Sequence, residues 1–276
     1  MRLINTRTLK MQEFISRPPP YAILSHTWGK GEVSIQDFHS LPLREKKQGF
    51  SKIKATCQQA RNQGLDYAWV DTCCIDKTSS SDLGEAINSM FKWYRDSAVC
   101  YAFLEDIPSE DSTPDETTRN TTTLGFGHSR WFTRGWTLQE LIAPSRVEFY
   151  NRSWQQIGGK KELATSLATA TGIDAFILDG TGDLGQVSVG RRMSWAVDRE
   201  TAREEDIAYS LLGIFNVNMA LIYGEGARAF LRLQEKILQH SDDHTIFAWR
   251  GSPLSVNREE ARGLFATSPN EFRNFL

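Results

Sequence analysis

The chain has 276 residues, enough for one large or two small domains with a sizeable core. Its 40% hydrophobic and 24% charged residues describe an ordinary folded protein and exclude disorder for most of the length. With 32 Lys and Arg against 34 Asp and Glu, the net charge of −2 leaves no global positive field to draw nucleic acid or an anionic membrane surface.

The first residues, "MRLINTRTLKMQEF", lack the apolar run of a signal peptide, and no run of 18 apolar residues predicts a membrane span. Cys57, Cys73, Cys74 and Cys100 sit in apolar settings without framework spacing and read as reduced thiols, which with the missing leader predicts a cytoplasmic location. The first predicted strand is "YAILS" (21–25), after Pro18, Pro19 and Pro20. A helix is predicted over 44–62, stopped by Gly64, and then a strand, "DYAWVD" (66–71). The next helix runs from about Leu83 to Tyr94, with Asp82 as N-cap, Glu85 three residues on and one apolar stripe of Leu83, Ile87, Met90, Phe91 and Tyr94. "AVCYAFL" (98–104) is the third strand, and the Ser-, Thr- and acid-rich stretch 105–125 reads as a solvated surface loop. A short helix inside "WFTRGWTLQELIAP" (131–144) precedes a fourth strand, "RVEFYN" (146–151). Strands alternating with helices predict a doubly wound parallel sheet, whose ligands lie beyond the carboxyl ends of the strands. From residue 156 onward helical patterns dominate, in "KKELATSLATATG", "REEDIAYSLLGIF" and "GEGARAFLRLQEKILQH". The expected division is an α/β core over 1–155 and a mostly helical part over 156–276 packed on it. The tail ends without a stop signal, so the chain is expected to be the front of a longer protein.

On a helical wheel Leu138, Leu141 and Ile142 share one side of the 131–144 helix, and Glu140 falls about 40° from Trp136 on the other. That places a tryptophan and a carboxylate on the face expected to meet water. Either a loop covers Trp136 while Glu140 pairs with Arg130, Arg134 or Arg146, or the two residues hold a ligand. "SHTWGKGE" (25–32) and "DTCCIDK" (71–77) follow the first two strands and offer Ser25, His26, Trp28, Gly29, Asp71, Cys73 and Asp76 to the same crevice. His26 there is an acid or base, or hydrogen-bonded structure; Asp71 and Asp76 hold ribose hydroxyls or cap loop amides. Cys73 or Cys74 with His26 and Asp71 also permits a thiol hydrolase. Ligand spacing for a metal is absent, and no metal is expected. "GTGDLG" (180–185) matches a dinucleotide fingerprint literally, with "AFIL" before it as a potential strand, but Asp183 would face the pyrophosphate and a plain loop is the preferred reading.

The blocks "YAILSHTWG", "YAWVDTCCIDK", "EAINSMFKWYRDSAVCYAFLEDI", "SRWFTRGWTLQELIAP", "EFYNRSW", "REEDIAYSLLGIF" and "LIYGEGARAFLRLQEKI" resemble, in order, those of the fungal heterokaryon-incompatibility (HET) domain. That resemblance implies an effector of cell death after non-self recognition, often at the front of a receptor with nucleotide-binding and repeat modules. A more distant resemblance is to the Toll/interleukin-1 receptor (TIR) domain, a flavodoxin-like fold, in which a W-x-x-x-E-L motif carries the catalytic glutamate of the members that cleave NAD. It implies that Glu140 is catalytic, with Trp136 and the loops of Ser25, His26, Trp28, Gly29, Asp71, Cys73 and Asp76 lining a nucleotide pocket. NAD or a related nucleotide is then the substrate rather than a bound cofactor, and self-association is an expected partner mode. The alternative is a non-enzymatic module that signals by assembly.

Overall fold

The computed structural model describes residues 1–109, 125–250 and 263–275. Most of the predicted loop 105–125, and part of the tail, thus lie outside the described residues. The protein is a mixed α/β fold built on one seven-stranded sheet in the order β2-β1-β4-β3-β5-β6-β7. The strands are β1 (Arg2–Asn5), β2 (Met11–Glu13), β3 (Tyr21–His26), β4 (Tyr67–Trp69), β5 (Val99–Phe103), β6 (Val147–Tyr150) and β7 (Gln156–Gly159). The interior four, β4-β3-β5-β6, are parallel, whereas β2, β1 and β7 add antiparallel edges. Strand β3 is buried along its whole length, as expected of a parallel strand covered on both faces. From β3 the chain steps to β4 on one side and then crosses to β5 on the other, so the strand order reverses at β3. Its carboxyl end, Ser25 and His26 in register with Ala102 and Phe103, opens on that reversal.

The helices of the first half are α1 (Ile35–His39), α2 (Leu41–Lys46), α3 (Phe50–Asn62), α4 (Asp71–Cys74), α5 (Ser80–Arg95) and α6 (Trp136–Ile142). The predicted helix 44–62 is broken before Gly49, whose amide donates to Gly31 O at 3.0 Å. A Cβ on Gly49 would lie 2.9 Å from Glu32 Cα, so only glycine lets the chain press against the 31–32 turn. Ser79, not Asp82, caps α5; Asp82 instead takes the Arg2 guanidinium at 2.9 Å and ties the N-terminal hairpin to that helix. "AFIL" (175–178) is one helical turn rather than a strand, which leaves "GTGDLG" without the strand that a dinucleotide fingerprint requires.

In the second half the helices are α7 (Ala164–Thr171), α8 (Ala175–Leu178), α9 (Val189–Ser194), α10 (Asp206–Tyr209) and α11 (Arg228–Leu238). Only Asp206–Tyr209 of the predicted helix 203–215 is α-helical. Buried side chains from Leu3 through Leu138 and Tyr209 to Phe272 form one continuous cluster. The second half covers the amino end of α6. Gly135 N donates to Glu200 O at 2.8 Å, and a Cβ on Gly135 would lie 2.6 Å from Thr201 Cγ2. The buried Arg199 donates to Arg134 O at 3.0 Å and to Thr137 Oγ1 at 3.3 Å. At the other end of α6 the buried Lys160 ammonium donates to Leu141 O at 3.1 Å and also to Pro144 O, where a cation complements the helix dipole. Among the described residues no helix is long and apolar enough to cross a membrane.

Candidate active site

The wheel expectation for α6 is overturned on the Glu140 side: Glu140 is only 8% exposed, and Thr137, Gln139 and Leu141 are buried as well. A single wheel locates the apolar stripe but not a second layer laid over the opposite face, and here β3 and α5 supply that layer. Of the three arginines weighed for Glu140, Arg130 faces Glu105 and Asp106 and Arg146 faces Glu148, whereas the Arg134 charge favours the ionised carboxylate without a direct ion pair among the described residues. Its carboxyl accepts a hydrogen bond from Ser25 Oγ at the end of β3. Ser25 Oγ in turn accepts from Trp131 Nε1 at 2.8 Å. Tyr94, on α5, donates its hydroxyl to Leu24 O at 3.0 Å and lies beside the Glu140 carboxyl, whose ionised form it favours.

Burial is the largest influence on Glu140 and drives its pKa up to about 8; the nearby Asp71 charge adds to the rise, and the Ser25 bond, Tyr94 and the Arg134 charge oppose it. At neutral pH this is therefore mainly a carboxylic acid.

Beside this network lies a second one, assembled from the loops after β3 and β4. His26, itself buried, places Nε2 3.1 Å from Asp71 Oδ1 and Nδ1 3.2 Å from Lys52 Nζ. An ammonium has only hydrogens to give, so Nδ1 is the acceptor and Nε2 carries the hydrogen that goes to Asp71. Lys52 also donates to Glu32, whose carboxylate takes the Gly29 amide at 2.8 Å. The other Asp71 oxygen accepts from Trp28 Nε1 at 2.8 Å and lies 3.6 Å from Lys77 Nζ. Burial would raise the Asp71 pKa, but Lys77, His26 and Trp28 outweigh it and hold the carboxyl below the ordinary carboxylate range. A carboxyl held neutral and a carboxylate held ionised thus both stand at the carboxyl end of β3, one bonded to Ser25 and the other to His26.

The predicted residues do not all converge. Ser25 reaches Glu140, and His26, Trp28, Gly29 and Asp71 join through the second network. Trp136 is half-buried and lies beside Asp206, in the second half of the chain, while Glu140 turns to β3. Asp76 spends Oδ1 on the Thr78 amide at 3.0 Å and on Gln36 at 3.1 Å, the cap role weighed for it. Cys73 is buried on α4 with Sγ 3.8 Å from Val70 O; burial, and Cys74 beside it, push its thiol well above the usual range. A reactive thiolate needs the opposite environment, so this geometry disfavours the thiol hydrolase. Sequence reasoning passed over Trp131, Tyr94 and Lys52. By periodicity Tyr94 belongs to the apolar stripe of its helix, and nothing local marks Lys52. Glu32 and Lys77 close the loops 25–32 and 71–77, where nothing in the local sequence marks them as partners of the site. Among the described residues no group of three or more His, Cys, Asp or Glu side chains is placed to hold a metal ion.

Residues 21–121 match the family model described as heterokaryon incompatibility protein (HET), and residues 228–275 match a domain of unknown function (DUF8212). The first match contains both loops of the site and ends before Glu140. The chain is 49% identical over 224 residues to the vegetative incompatibility protein HET-E-1 of Podospora anserina, an alignment that covers 79% of this chain and 16% of that protein. No solved structure matches the chain. The family match over the first loops and the identity to HET-E-1 together support a heterokaryon-incompatibility domain in this chain.

Proposed function

We propose that the chain is a cytoplasmic cell-death effector of heterokaryon incompatibility that cleaves NAD to nicotinamide and ADP-ribose, with Glu140 as the catalytic carboxylate. The observation that carries the reading is a carboxyl group buried at the strand reversal, hydrogen-bonded to Ser25 at the end of the central strand and shifted to about 8. Perturbed carboxyls in such a crevice are where catalytic groups are found. The parallel strands run in the order second, first, third, fourth, as in the opening of a flavodoxin-like 2-1-3-4-5 sheet, which supports the TIR-like part of the reading. The printed name of the relative, a vegetative incompatibility protein, supports the biological role.

The chemistry asks little of the protein. The bond between the ribose C1′ and the nicotinamide nitrogen breaks, and nicotinamide leaves with the electron pair as a neutral ring. The ribose becomes an oxocarbenium ion, and water adds to C1′ and releases a proton. A carboxylate beside C1′ stabilises the cation in a water-poor site. Glu140 is protonated while the crevice holds no cation, and a cationic substrate beside it favours ionisation. Ser25, braced by Trp131, then holds the carboxylate in place, and Asp71 is the second negative charge facing the substrate. The test is to incubate the purified chain with NAD, at protein concentrations high enough for self-association, and to follow nicotinamide by chromatography. Release by the wild-type chain and none by Glu140→Gln is the expected result; no release at any concentration refutes the hydrolase and leaves signalling by assembly as the role.

A further inference from the structure

Trp28 is the one residue of the site whose large apolar ring stands out in solvent, at 53% exposure. It is nevertheless fixed. Its Nε1 donates to Asp71 Oδ2 at 2.8 Å, and Asp71 is itself held by His26 at 3.1 Å and, through His26, by Lys52. One face of the indole is occupied by the chain's own Lys77, whose Nζ sits 3.4 Å from the ring centroid and 3.6 Å from Asp71 Oδ2. A rigid indole face next to an ionised carboxylate is the recognition chemistry for a cation, because the ring quadrupole and the carboxylate attract the same charge. Lysine is a poor permanent occupant of such a place: its stem is flexible and its ammonium is strongly hydrated. A flat, delocalised cation covers the indole with apolar area and holds its charge with less water to shed.

We propose that the Trp28 face and Asp71 form a subsite for a cationic aromatic ring of the N-substituted pyridinium class, and that Lys77 occupies it as a built-in competitor that the ligand must displace. This rests on the reading of the crevice as a nucleotide site and assigns its charged ring to Trp28 rather than to Trp136. Lys77 then regulates entry. Removing Lys77 frees the ring for any ligand but also leaves the Asp71 charge unneutralised, which only a cation exploits, so it strengthens binding of a cationic ring more than that of a neutral ring of the same shape.

The probes are 1-methylnicotinamide, a cationic ring, and nicotinamide, its neutral counterpart, with binding to the full chain followed by tryptophan fluorescence and by calorimetry. Lys77→Met should bind 1-methylnicotinamide about threefold to tenfold more tightly than the wild-type chain, the size of one cation–π contact, and should gain clearly less for nicotinamide. Lys77→Arg, which keeps the competitor, should not tighten binding, and Trp28→Leu should lose the preference for the cationic probe. Equal affinities of Lys77→Met and wild type for 1-methylnicotinamide overturn the proposal, as does no binding of that probe to either, or an equal gain for the neutral ring. The outcome is separable from that of the hydrolase. A chain that does not cleave NAD but shows the stated split keeps the subsite, and a chain that cleaves NAD without the split loses it.

Discussion

Replacing Glu140 by Gln isolates the cost of burying one carboxyl. The group has an ordinary pKa of 4.5 and is raised to about 8 in the fold, chiefly by burial. The folded chain therefore holds this proton more tightly than the unfolded chain, and folding loses stability as pH climbs from 4.5 to about 8. Below that window both states are protonated and the group contributes no pH dependence. At about 1.4 kcal/mol per pH unit the full loss is on the order of 5 kcal/mol, as large as the net stability of a modest domain. Glutamine keeps an oxygen for the Ser25 hydroxyl and cannot ionise. Glu140→Gln should accordingly gain on the wild type steadily between pH 5 and 8, reach an advantage of several kcal/mol, and level off above it. Urea unfolding at half-unit pH steps, read by tryptophan fluorescence with matched m-values, measures that difference directly. A difference that stays flat across the window, or that shrinks as pH rises, would refute the buried neutral acid.

Three further substitutions probe the same network. Ser25→Ala removes a donor to Glu140 and leaves Trp131 Nε1 without its acceptor; it should cost about 1–3 kcal/mol and, because the lost bond favoured the carboxylate, extend the pH-dependent loss of stability beyond pH 8, again read by urea unfolding. Asp71→Asn withdraws a charge that pushes Glu140 up, so the same titration should finish at lower pH, while Trp28 emission shifts to the red as its anchor weakens. Gly135→Ala should destabilise by about 1–3 kcal/mol, since its Cβ would lie 2.6 Å from Thr201 Cγ2, and the double variant Gly135→Ala with Thr201→Ser, which lacks that methyl, should recover most of the loss in thermal unfolding.

The four parallel strands were legible in the sequence to within one or two residues, because buried runs such as "YAILS" and "AVCYAFL" are bounded by Pro, Gly and helical periodicity. The edges were not. "RLIN" and "MQE" are short and mixed in polarity, and pair only because β4 offers a partner 60 residues away. The site was half legible. Its loops follow the strand ends and its glutamate stands in a readable motif, so residues to watch could be chosen, but their partners could not. Glu140 meets Ser25 across 115 positions and Tyr94 meets Leu24 across 70, distances over which periodicity carries no signal. Trp136 shows the converse error: adjacency on a wheel placed it with Glu140, whereas its partner Asp206 lies on a helix that the wheel does not include.

In the proposed reaction Glu140, as a carboxylate, drives cleavage of NAD. The most direct measurement is kcat/KM for nicotinamide release against pH, for the wild-type chain and for Glu140→Gln at the same protein concentration. An ionised Glu140 in the active form predicts a wild-type profile that rises with pH and levels off above about 8, with Glu140→Gln lower by at least about a hundredfold throughout. Release by Glu140→Gln at the wild-type rate, or a wild-type profile that falls across that range, would contradict it.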